Sequence, residues 1–177
     1  MAAGESKEAD YGEVLLQVVA RIIDRVDGAN ASTCYLALDP DSLDHNSGRH
    51  TFIVSPLSGD FSEGAFVGGG IAFLETKSGC IVKIHCPSLA DKAGHDVLAL
   101  TDESLGLLRK ASAVISALAP STAAHPPQAG WVPSVGDYGL TSPFRPVRYS
   151  LHKHPNNAIR SMEILFSFDF DWDTTQQ

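Results

Sequence analysis

The 177-residue sequence is short of paired cysteines, of positive charge and of long apolar runs, and each shortage excludes something. Its three cysteines, Cys34, Cys80 and Cys86, are odd in number and form no CxxC pair, so neither a disulfide framework nor a paired-cysteine zinc site is indicated. They read as reduced core thiols of an intracellular protein. Thirteen Lys and Arg stand against 21 Asp and Glu, a net charge of −8, which argues against a chain whose main work is gripping phosphate backbones. No apolar run approaches the roughly 20 residues of a membrane-spanning helix. The opening MAAGESKEAD has no basic stretch followed by an apolar one, so secretion is not expected and assembly in the cytoplasm is. GxSxG, HExxH and GxxxxGKS/T are all missing, which leaves no local motif for a nucleophile, a metal or a phosphate.

What remains is an ordinary globular composition, 44% hydrophobic and 19% charged, long enough for one self-sufficient core in a single domain spanning residues 1–177. Residues 1–11 read as a flexible N-terminus. Between residues 12 and 27, Val14, Leu15, Val18, Val19, Ile22, Ile23 and Val26 recur in steps of one and three, which predicts a helix with one buried stripe and Gly28 as its stop. Strands are expected at 33–38 and 51–56. The run FVGGGIAFLETKSGCIVKIHCP reads as a β-hairpin arm that turns at Lys77, Ser78 and Gly79, with Gly68, Gly69 and Gly70 marking a bulge or close approach at its base. A second helix is expected from Thr101 to Pro120, with Leu105, Leu108, Ala111, Val114, Ile115 and Leu118 inward.

Residues 120–157 hold seven of the ten prolines, yet also Trp131, Tyr138, Phe144 and Tyr149. That aromatic load predicts an ordered extension that packs on something, another subunit being one candidate, and whose truncation over 121–157 leaves the fold but weakens assembly. The chain then alternates, with only Leu165 breaking the pattern: Met162, Ile164, Phe166, Phe168, Phe170 and Trp172 on one face, Glu163, Asp169 and Asp171 on the other. This reads as one overlong strand able to extend a shared sheet. The fold class is α+β, a mostly antiparallel sheet flanked on one face by two helices.

Candidate chemistry is thin. His152 and His154 have a spacing that one face of an extended segment could use for a metal, but no third ligand accompanies them, and a solvated loop accounts for them better. His85 and Cys86 fall on opposite faces of a strand. Asp39, Asp41 and Asp44 lack the glycine and final Glu of a calcium loop. No cofactor, no metal and no catalytic residue is expected.

The order GEVLLQVVARIIDRV, strand pair, hairpin, DESLGLLRKASAVISAL and SMEILFSFDFDW resembles the tail-terminator, or tail-completion, proteins of long-tailed bacteriophages. The resemblance implies a homohexameric ring in the virion neck, non-enzymatic, seated on the tail tube protein and joined to the head-tail connector protein, with DNA passing through without specific binding. Under it, Gly68, Gly69, Gly70, Trp131, Tyr138, Phe144, Arg145 and Arg148 become candidates for subunit or partner contact. Glu163, Asp169 and Asp171 become candidates for an acidic lumen. Another neck or tail-tube role, a cellular α+β interaction module and a small-molecule enzyme remain open.

Overall fold

The computed structural model describes residues 10–38, 50–61, 65–67, 70–85, 102–118, 138–153 and 159–173. The first apolar stripe forms helix α1 (Tyr11–Arg25), with Val14, Leu15, Val18 and Ile22 buried. Asp10 sets its start by accepting a hydrogen bond from the Glu13 amide at 3.0 Å. Gly28, three residues past the helix end, takes a left-handed φ of +81°, which a residue without a Cβ adopts at little cost. Helix α2 (Asp102–Leu118) buries Leu107, Ala111, Val114 and Leu118, a four-three-four spacing, while Leu105 and Leu108, expected inward, are exposed. The stripe is thus rotated from the one expected. The last turn of α2 has no basic residue of its own. Arg21 of α1 supplies the cation instead: its Nε donates to the Ala117 carbonyl at 3.2 Å, and the side chain is buried for that purpose rather than on the solvent face. Burial lowers its pKa, and the neighbouring Arg25 adds to that while Asp24 opposes it.

The sheet comprises β1 (Cys34–Leu36), β2 (Thr51–Pro56), β3 (Asp60–Phe61), β4 (Ala65–Val67), β5 (Gly70–His85), β6 (Arg145–Lys153) and β7 (Ile159–Asp173). Its order is β1-β2-β5-β7-β6, with β3 and β4 also alongside β5; β1 and β2 run parallel and the other described pairs antiparallel. Register explains the core. Phe52, Ile84 and Met162 stand side by side, as do Val54, Val82 and Ile164, and all six join the two helices in one buried cluster. Ile53 is equally buried but belongs to the other face and lies outside that cluster. The α+β fold with both helices on one sheet face is as the sequence pattern indicates.

Three expectations are corrected. Lys77, Ser78 and Gly79 do not turn: they lie inside the continuous strand β5. A Cβ on Gly79 would come 2.3 Å from the Phe166 carbonyl oxygen, so glycine is needed there for close approach of β7. The paired strands β4 and β5 instead meet with Val67 opposite Gly70, so Gly70 begins the return arm; Gly68 and Gly69 lie outside the described residues. Next, residues 145–153 of the expected extension are strand β6, paired with β7. The preceding stretch follows the same strand: Thr141 N–H donates to the Asp169 carbonyl at 3.0 Å and Asp171 N–H to the Gly139 carbonyl at 2.8 Å. That part of the chain therefore belongs to the domain, and truncating it should disrupt the fold. Finally, Asp10 and Tyr11 are ordered. The Tyr11 hydroxyl donates to the Gly79 carbonyl at 2.5 Å and accepts from Leu57 N–H at 3.2 Å, tying α1 to the sheet. Burial raises the Tyr11 pKa against the opposing hydrogen bonds of Ser78 and Leu57.

Candidate functional site

The face of the sheet turned away from the helices carries the polar positions of the same strands. In the middle strands these positions are still buried: Thr51 and Ser55 on β2, Lys83 and His85 on β5, and Ser161 on β7. The alternation that turns Val82 and Ile84 of CIVKIH toward the helices turns the lysine between them to the opposite face. At 4% exposure, Lys83 meets a carboxylate that β7 places directly opposite: Nζ lies 3.1 Å from Glu163 Oε1. His152, from β6, reaches the other oxygen, with Nε2 3.2 Å from Glu163 Oε2. Burial pushes the Glu163 carboxyl up, but the hydrogen bonds and charges of Lys83 and His152 together outweigh it and hold it below the ordinary carboxylate value. Three adjacent strands are thus clamped by one ionic bridge.

This bridge changes the reading of the residues singled out from sequence. Glu163 is paired with Lys83 and contacted by His152, and is not a free acidic wall. Arg148 lines the same shallow depression as Glu163, together with Ile81, Ser150 and Leu165, so one proposed contact residue and one proposed lumen residue occupy a single patch. Asp169 and Asp171 are half-buried on the outer face of β7, in register with Lys77 and Glu75 of β5. Leu165, which breaks the apolar alternation in sequence, falls on this outer face.

The aromatic candidates separate. Phe144 is a core residue, not an exposed contact: it is buried against Phe168 with ring centroids 4.6 Å apart. Tyr138 is half-buried in a left-handed turn (φ +52°) and its carbonyl accepts the Asp10 amide at 3.1 Å, which joins the N-cap to the approach of β6. Trp131 lies outside the described residues. Arg145 and Arg148 are exposed on β6, along with Val147 at 57% and Tyr149 at 64%.

The sequence reading missed Lys83 and misplaced His152, which stands on a strand rather than a loop. A usable signal was present. Lys83 and Glu163 each interrupt a hydrophobic strand, and two opposite charges so placed in a small domain are best explained by each other. Among the described residues, no three His, Cys, Asp or Glu side chains converge on a metal-sized site. Cys34 and Cys80 are buried thiols pushed up to about 12 by burial, which disfavours the thiolate needed for nucleophilic work. No described helix is long and apolar enough to cross a membrane. No family model matches the chain, and no curated protein matches it.

Proposed function

We propose that this chain is a structural virion protein that forms a ring at the head-proximal end of a bacteriophage tail tube, where it stops tube polymerisation and meets the head connector. The observation that supports the reading is the unbalanced cover of the sheet. Helices pack one face of β2, β5 and β7, whereas among the described residues the sheet ends in a nine-residue strand, β6, whose residues 145–152 are all exposed. An open edge of this length is a template for another chain, and small monomers usually blunt or cover one. Head-to-tail contacts whose rotation closes form rings, and those whose rotation does not close form open filaments.

The structure redirects one part of the resemblance. The last strand, β7, does not serve as the joining edge, because β5 and β6 pair with its two sides. The acidic balance keeps its role in the proposal: six copies at −8 each disfavour adhesion to DNA passing through a channel. Asp169 and Asp171 remain the candidates for that wall, and Glu163 does not.

Native mass spectrometry and negative-stain microscopy, with and without purified tail tube protein, test the proposal. The expected particle is a ring of about 113 kDa, six times 18.9 kDa. A strictly monomeric protein under both conditions overturns it.

A further inference from the structure

We infer that the β6 edge takes a short extended segment of another protein, one in which acidic and apolar side chains alternate. This edge is available to a partner whether or not copies of the chain close into a ring. Among the described residues β6 ends the sheet order, and a strand added to a sheet needs such an edge. Register shifts between Pro146 and Arg148 and between His152 and Lys153 leave residues 148–152 as the regular part of β6. A proline and bulges of this kind blunt long edge pairing, so the run suits a short linear segment better than an extended ladder between copies.

The pairing with β7 sorts the side chains by face. Tyr149 and Leu151 stand opposite Ile164 and Met162, on the helix side, while Arg148 and His152 stand opposite Leu165 and Ser161, on the other. Tyr149 is 64% and Leu151 36% exposed, so the apolar row of the core runs out to an uncovered edge. Charge then selects the occupant. Residues 145–153 hold Arg145, Arg148 and Lys153 and no acid, in a chain whose net charge is −8. A second β6 laid antiparallel about Tyr149 sets Arg145 opposite Lys153 twice over, which is repulsive. An acid placed opposite Arg148 is attractive, and its apolar neighbour in the added strand then meets Tyr149. Residues 168–173 of this chain have that alternation, but β5 pairs with them throughout, and Thr141 and Gly139 hydrogen-bond to Asp169 and Asp171. They are held in the sheet of every copy, so the segment is supplied by a different protein.

Three synthetic peptides as long as β6 test this by fluorescence anisotropy on the full-length protein: one alternating Val and Glu, one alternating Val and Lys, and the Val/Glu peptide N-methylated throughout. The Val/Glu peptide should bind, and the other two should bind at least about tenfold more weakly. Arg145→Glu with Arg148→Glu, checked for folding by circular dichroism and melting, should lose the Val/Glu peptide by a similar factor and take the Val/Lys peptide instead. Arg145→Gln with Arg148→Gln should show the loss without the exchange, which keeps the test intact if the reversed variant does not fold. Equal binding of the N-methylated peptide overturns strand addition. Tighter binding of a single-stranded DNA that displaces the Val/Glu peptide overturns the assignment in favour of nucleic acid. A parent protein that binds no Val/Glu peptide up to about 1 mM overturns the site, and assigns the edge to a second copy if the variants also fall from oligomer to monomer. The ring is judged separately, by the mass of the particle without peptide.

Discussion

The two faces of the β5–β7 ladder are made by the same residues in alternation, yet they are held by different physics. On the helix side, Phe166, Phe168 and Phe170 are sealed under α1 and its neighbours, with Tyr11 packed tilted against Phe168 and edge-on against Phe170 at centroid distances of 6.0 and 5.8 Å. On the other side, one row away, Lys83, Glu163 and His152 form a polar clamp whose value depends on geometry and pH. Burial of apolar area is tolerant of small shifts and insensitive to protonation. An ion pair at the sheet surface is neither, because desolvation nearly cancels attraction unless the partners stay in register.

That contrast can be broken at several places. Deleting residues 138–153 should have the largest effect, since it removes Leu140 and Phe144 from the core and strips β6 from β7. The loss, about 6–10 kcal/mol, is comparable to the whole net stability of a domain, so cooperative thermal unfolding should disappear. Phe168→Ala empties the centre of the aromatic cluster and should cost about 4 kcal/mol in a denaturant titration. Gly79→Ala should cost about 2–3 kcal/mol, because the added methyl meets the Phe166 carbonyl and either β5 or β7 must move.

Glu163→Gln probes the polar face. It should cost about 2–3 kcal/mol at neutral pH, below the full range for a buried pair because Glu163 is a quarter exposed. Its pH signature separates it from a packing defect. The parent carboxyl titrates below its ordinary 4.5, so its contribution is present above that value and is lost as pH falls through the lowered one. The variant should lose that part of the acid slope, while Phe168→Ala should keep it. Smallest of all, Val147→Lys with Tyr149→Lys at the exposed edge should change monomer stability by no more than about 0.5 kcal/mol, so a large loss there would mean that β6 is packed rather than open.

Much of the fold was legible because periodicity is a local property. The steps of one and three in α1 and the alternation of β7 each follow from how a single element presents its side chains to a single core. The segments that misled did so for reasons that are not local. Lys77-Ser78-Gly79 has the composition of a turn, but Gly79 is there because a carbonyl from a strand nearly ninety residues later approaches too closely for a side chain. Residues 145–153 read as part of the proline-rich stretch 120–157 because Pro146 is unusual in a strand, though an edge strand accepts it and the register shift beside it. The ionic clamp was visible as two charges within apolar strands, but its pairing was not.

The sequence by itself determined the class of the protein: two amphipathic helices, alternating strands and an acidic balance, each set by side chains within a few residues of one another. Only the tertiary structure decided which strand is an edge, which glycine is a contact and which acid is paired. Those depend on who stands across the ladder, and β7 meets Lys83 on one side and His152 on the other only after the chain has brought three distant segments into register.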